Sequence, residues 1–182
     1  MAIKKITVLY GGLSSERQVS LESGKYIFKS IKNLGYKAEL IDYPKKFLLD
    51  SFTEEDFIFI ALHGKDGESG ELQKLLHKKG IPYTGSNYQA CENTWNKNTC
   101  KELLKENKIP TPKWITVSSL SEMQNGLDDI LFDPLRPFDE LFLKPAEDGS
   151  SIDVFKISDD SDLDKAITNC VDSKRPFIFE ES

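Results

Sequence analysis

Three short apolar runs, residues 6–10, 38–41 and 57–62, constrain the first half of the chain more than any other feature. Each is continuous rather than alternating, which is the pattern of a strand covered on both faces. Between the first two, Val19, Tyr26, Ile27, Ile31 and Leu34 recur at helical spacing, and Gly35 stands where a helix commonly ends in a left-handed residue. Strand, helix, strand in that order predicts a Rossmann-like parallel sheet with crossover helices, an α/β fold class. Leu72, Leu75 and Leu76 add a helical stripe closed by Gly80, and residues 81–84 read as a brief edge strand.

The second half has a different grain. Residues 96–107 predict a helix with Cys100, Leu103 and Leu104 on its buried side. Lys97, Lys101, Lys105 and Lys108 follow one face of it, and for the last three a solvated face is the expectation. Ile109-Pro110-Thr111-Pro112 then favours extended backbone, which places a domain boundary between residues 1–108 and 109–182. Beyond it the pattern predicts a strand at 114–117, a short helix over 121–129 capped by Ser121, and a loop at 133–139. Strands at 140–143 and 152–157, a helix over 160–174 and a last strand at 177–179 complete an α+β unit. An apolar strand so close to the final residue suggests a chain incomplete relative to a working enzyme.

Charge and cysteine content narrow the function classes. With 24 Lys and Arg against 30 Asp and Glu, the net charge of −6 argues against a general nucleic-acid binder. The three cysteines, Cys91, Cys100 and Cys170, are odd in number and lack metal-ligand spacing, so they read as reduced thiols of a cytoplasmic protein. No apolar run reaches membrane-spanning length, and no membrane partner is expected.

Three polar segments carry the chemistry. Lys144-Pro145-Ala146-Glu147-Asp148-Gly149-Ser150-Ser151 offers a lysine at the entrance of a glycine loop, with two hydroxyls after it. Amides and an ammonium are what phosphate oxygens need, although a plain hairpin turn fits the same residues equally well. The turn from Gly11 to Ser20 follows the first strand and holds Glu16 at the carboxyl edge of the sheet, where ligands of open α/β folds sit. A carboxylate there suits a substrate ammonium; a capping box of Ser15 and Gln18, with Glu16 favouring the helix dipole, has equal weight. The loop of residues 61–70 brings His63 and Glu68 to the same edge. His63 is as readily a hydrogen-bonded core residue, Glu68 reads as a loop or helix-start carboxylate, and His77 reads as exposed. Lys97 opens its helix and is placed to turn toward phosphates.

In order and spacing these segments resemble the D-alanine–D-alanine ligases of the ATP-grasp superfamily, from Lys5 to Ser182. The carriers are Gly11-Gly12 with residues 15–20, Ala61-Leu62-His63-Gly64, residues 67–73, Pro82-Tyr83-Thr84-Gly85-Ser86, Asn96-Lys97, the loop from Lys144 to Ser151, and Phe179-Glu180. The resemblance implies a pre-ATP-grasp parallel-sheet domain followed by the central subdomain of an ATP-grasp fold. It implies a ligase that phosphorylates one D-alanine with ATP and lets a second displace the phosphate, for peptidoglycan precursors. Glu16 and Ser150 then take the catalytic roles, with Glu16, His63 and Ser150 on the substrate. Lys97, Lys144, Gly149, Ser150, Ser151, Glu180 and Glu181 take the nucleotide. The resemblance further implies a homodimer, and Mg²⁺ held by a C-terminal domain beyond Ser182, with no metal ligand in this chain and little or no turnover by it alone. Other D-alanine–D-X ligases, or a non-catalytic binding module, remain as alternatives. The sequence departs from the family pattern at Gln18, Trp95 and Asn96, and at Glu147-Asp148, where a basic residue is common.

Overall fold

The computed structural model describes residues 5–123, 126–129, 140–149 and 151–182. The chain divides into two compact units, Met1–Trp95 and Asn96–Ser182.

The first unit is built on β1 (Lys5–Gly11), β2 (Ala38–Tyr43) and β3 (Asp56–Ile60), which form a parallel sheet in the order β2-β1-β3. Successive residues of β1 face opposite cores, as the pleat requires. Val8 packs with Ile31 and Ala61, while Leu9 packs with Ile58, Leu62, Leu72 and Leu76. The predicted edge strand at 81–84 reduces to a parallel bridge between Tyr83 and Ile58, where Pro82 accepts from and Thr84 donates to Ile58. Proline brings no N–H to a longer ladder.

The helix α1 (Arg17–Asn33) follows β1 and buries part of the predicted stripe, Ile31 with Ile27 against it, but not the rest. Ser20, Gly24 and Ile31 face the sheet, whereas Val19, Tyr26 and Leu34 are 55%, 75% and 74% exposed. Close approach decides the matter. A β-carbon on Gly24 would lie 2.4 Å from the Tyr10 β-carbon, so no larger side chain fits there against β1. Gly35, with φ +85°, closes α1 as predicted. The short α2 (Lys65–Glu68), α3 (Glu71–Lys78) and α4 (Tyr88–Trp95) complete the unit.

The second unit opens with α5 (Lys97–Glu106), whose N-cap Asn96 accepts from the Thr99 amide at 3.1 Å. Four strands, β4 (Trp114–Val117), β5 (Leu141–Pro145), β6 (Phe155–Ile157) and β7 (Phe177–Glu181), form an antiparallel sheet in the order β4-β7-β5-β6. The last strand is therefore interior, as its apolar run predicts. Leu141, Leu143, Phe177 and Phe179 point to one face and meet Leu163 and Ala166 of α6 (Asp160–Asn169). The strand predicted at 152–157 begins only at Phe155, because Ser151 and Asp153 take φ of 57° and 56°, outside extended backbone. Within 121–129 the described residues form single 3₁₀ turns, Leu120–Glu122 and Gly126–Asp129, and the cap on the first is Ser119. The predicted loop at 133–139 lies outside the described residues.

Candidate functional site

In the first unit the carboxyl ends of β1 and β3 are stitched together by one hydroxyl. Ser20 Oγ accepts from the Gly11 amide at 2.9 Å and donates to the Ala61 carbonyl at 2.6 Å, with no exposure to solvent. Two loops are thereby held side by side. Ser14 Oγ donates to the His63 carbonyl at 2.8 Å, and Ser23 Oγ lies 3.2 Å from His63 Nε2. Glu16 stands in this cluster: a β-carbon on Gly64 would come within 3.1 Å of Glu16 Oε2 and 3.0 Å of Ser14 Oγ. Gly64 adopts φ 70°, ψ −153°, a conformation essentially limited to glycine, which brings bare backbone up to the carboxylate.

The predicted capping box does not form. Glu16 is itself the N-cap of α1 without a side-chain cap bond, and the Gln18 amide donates to Glu22 instead. Arg17 makes the turn's second anchor, clasping Asp42 through two bonds of 2.8 and 2.7 Å and donating to the Gly12 carbonyl. The hydrogen bond from Arg17 holds the Asp42 carboxyl below its ordinary range. Glu68 accepts from the Gly64 amide at 3.2 Å, a loop role, and His77 is exposed beside Tyr88.

In the second unit the loop after β5 is tied to the start of α5. The Lys97 amide donates to the Ala146 carbonyl at 2.7 Å, and the Asn96 side-chain amide donates to Glu147 at 3.0 Å. The Lys97 ammonium reaches the Asp148 carbonyl at 2.8 Å. Burial pushes the Lys97 pKa down, and the neighbouring Lys144 charge pushes the same way, with Asp148 opposing. Two ammonium groups thus share one region at the loop, an arrangement that favours a polyanion over either lysine's isolation. The acidic pair in the loop is largely accounted for. Asp148 is matched by Arg175 at 2.8 Å, and Arg175 also binds Asp153. Asp148 (φ 143°), Ser151 and Asp153 are non-glycine residues at positive φ, so the loop stores backbone strain. Gly149 donates to the Asp148 side chain, and Ser150 lies outside the described residues.

Lys101 overturns its predicted place. Instead of facing solvent it is 6% exposed and donates to Thr111 Oγ1 at 2.7 Å, to the Pro112 carbonyl at 2.9 Å and to Glu180 Oε2 at 2.6 Å. Its ammonium lies 5.0 Å from the Trp114 ring centroid. The other Glu180 oxygen takes Lys144 at 2.5 Å. Burial pushes the Glu180 carboxyl up, but the two lysine bonds outweigh it and hold it below its ordinary range. Glu181 is partly buried beside it, its amide bonded to the Lys113 carbonyl. Arg175, Lys101 and Ser20 escape pattern reading because a lone arginine, a lysine in a basic stripe and a helix serine look the same wherever they sit.

No family model matches the chain. Among curated proteins it is 40% identical over 168 residues to D-alanine–D-alanine ligase of Francisella philomiragia, covering 91% of this chain and 53% of that protein. Among solved structures, D-alanine–D-alanine ligase of Bacillus anthracis matches with a TM-score of 0.78 and 33% identity, over 98% of this chain and 57% of that one. Over nearly all of its own length the chain is thus homologous to proteins named D-alanine–D-alanine ligase.

A structure of the Bacillus anthracis ligase complexed with ATP matches at a TM-score of 0.77 and 30% identity, again over 98% of this chain. The likeness to these solved ligases gives the chain the ATP-grasp fold, in agreement with the parallel sheet of the first unit and the antiparallel sheet of the second. The chain spans just over half the length of the curated ligases it matches. Among its described residues no three His, Cys, Asp or Glu side chains gather as a metal site, and no helix is long and apolar enough to cross a membrane.

Proposed function

We propose that this chain carries the D-alanine-side and nucleotide-side parts of an ATP-dependent D-alanine–D-alanine ligase serving peptidoglycan precursor synthesis in the cytoplasm, in a homodimer. The observation that carries the reading is the pair of ammonium groups, Lys97 and Lys144, beside the strained loop that begins at Ala146. A triphosphate is a dense polyanion, and it replaces the mutual repulsion of two lysines by attraction to both.

In this reading Lys97 and Lys144 hold ATP phosphates, and residues 149–151 close over them. Glu180 and Glu181, at the end of the interior strand, take the base side. Glu16, beside Ser14 and Gly64, holds the ammonium of the first D-alanine, with His63 near it; Ser150 keeps the catalytic role that the resemblance implies. The γ-phosphate passes to the D-alanine carboxylate and ADP leaves. The amine of a second D-alanine then attacks the acyl carbon, and phosphate leaves with the C–O bonding pair. The protein's part is to position the reactants and neutralise the migrating charge. The Mg²⁺ that the family implies finds no ligand set among the described residues, so no step here runs through it.

The test is ATP binding by thermal shift. A ligand at a hundred times its Kd adds about 2.7 kcal/mol to stability. ATP should raise the Tm of the parent chain and leave Lys97→Ala and Lys144→Ala unmoved. An equal shift in all three proteins removes the basis of the reading.

A further inference from the structure

We infer that Lys101 is a positioning residue for the nucleotide phosphates: it neutralises Glu180 so that the charge of Lys144 remains available to an anion. The inference rests on the phosphate role proposed above for Lys97 and Lys144.

Glu180 lies between two lysines, with one oxygen on Lys144 and the other on Lys101. A carboxylate bound to a single lysine makes a neutral pair, which has little to offer a phosphate. The second lysine changes the balance. Lys101, Glu180 and Lys144 together carry one net positive charge, and the side chain with an open side is Lys144, at 22% exposure against 8% for Lys101 and 13% for Glu180. The uncompensated charge therefore faces outward through Lys144.

Lys101 cannot itself be the ligand's partner. An ammonium has three donors, and here all three are taken by Thr111, Pro112 and Glu180. It acts on a ligand only through Glu180. Its surroundings also explain how a charge persists there: the bonds to residues 111 and 112 and the Trp114 ring at 5.0 Å replace lost hydration. Nearby, Arg175 is committed to Asp148 and Asp153, two carboxylates on one guanidinium, so that cluster contributes no positive charge to spare.

The probe is inorganic tripolyphosphate, which has phosphate charge without a base, titrated calorimetrically into the chain. Lys101→Met should weaken binding about tenfold, because the triad falls to zero net charge. The double variant Lys101→Met with Glu180→Gln has one net positive charge again and should recover most of that loss, while Lys101→Arg should bind like the parent. Circular dichroism checks that each variant is folded. A merely structural Lys101 predicts the opposite for the double variant, since removing Glu180's charge restores no contact to residues 111, 112 or 114. Binding that is lost with Lys144→Met but unchanged by Lys101→Met, or a double variant no better than Lys101→Met, overturns the inference alone. A parent that does not bind tripolyphosphate, or binds it regardless of Lys144→Met, overturns the phosphate reading and this inference with it.

Discussion

Ser20→Ala removes one oxygen atom from the interior of the first unit, and its cost can be worked from two bonds. The hydroxyl receives the Gly11 amide at 2.9 Å and gives its proton to the Ala61 carbonyl at 2.6 Å. Ser20 is wholly buried, Gly11 is buried and Ala61 is 5% exposed, so water does not readily replace the lost partner. Each orphaned buried group costs about 1–3 kcal/mol, and the loss of one atom serving two groups should therefore cost roughly 2–6 kcal/mol. Alanine brings no compensating contact, because the void left by one oxygen is too small to refill. With a urea m-value of about 2 kcal/mol/M, the unfolding midpoint of the first unit should fall by roughly 1–3 M. Urea unfolding followed by amide exchange over residues 5–62 reads that unit separately from the second. The same measurement locates the damage, since protection should fall first at Gly11–Ser14 and Ala61–Gly64, the two loops the hydroxyl joins. A midpoint within about 0.3 M of the parent, or protection lost uniformly along the sheet, would show that the hydroxyl is not the stitch described here.

Gly64→Ala should cost about 1–3 kcal/mol from its φ of 70° and ψ of −153° alone, and its methyl group must also displace Ser14 and Glu16; a variant as stable as the parent in urea refutes this. Glu180→Ala leaves Lys101 and Lys144 without their shared carboxylate and should lower the stability of the second unit by roughly 3–5 kcal/mol at neutral pH. Because the two lysine bonds hold the folded Glu180 carboxyl below its ordinary range, its contribution is full above that range and fades as pH falls through the folded value. Stabilities of the parent and Glu180→Gln should therefore stay apart at neutral pH and converge only as pH falls through the folded value, below the ordinary carboxylate range; a gap that widens toward acid contradicts the lysine clamp.

Local signals carried much of the fold. Continuous apolar runs at 6–10, 38–41 and 57–62 became the parallel sheet, and the run at 177–179 became an interior strand; in the central strands, at 7–9 and 177–179, burial on both faces leaves no room for alternation. Where the reading went astray, a contact distant in sequence was responsible. Of the stripe Val19, Tyr26, Ile27, Ile31 and Leu34, Ile27 and Ile31 reach the core, whereas Val19, Tyr26 and Leu34 are exposed; Ser20 and Gly24 also face the sheet, where Tyr10 leaves no space for a β-carbon on Gly24. Ser15 and Gln18 have the spacing of a capping box, yet the helix starts at Arg17 once Arg17 is claimed by Asp42, 25 positions away. The strand expected from Ile152 is shortened by Asp153, whose carboxylate is held by Arg175 and the Val171 amide.

The site divides in the same way. The presence of Glu16, His63, Lys97, Lys144 and the glycine loop, and the family they point to, follow from residue type and spacing, since these are properties of a linear pattern. That Lys101 is buried on a carboxylate shared with Lys144, that Arg175 answers Asp148, and that one serine joins two loops were decided by the fold. Electrostatics and hydrogen bonding act over a few ångströms of space, and a sequence separation of 36 or 79 residues between partners such as Lys144 and Glu180, or Lys101 and Glu180, has no trace in the order of the letters.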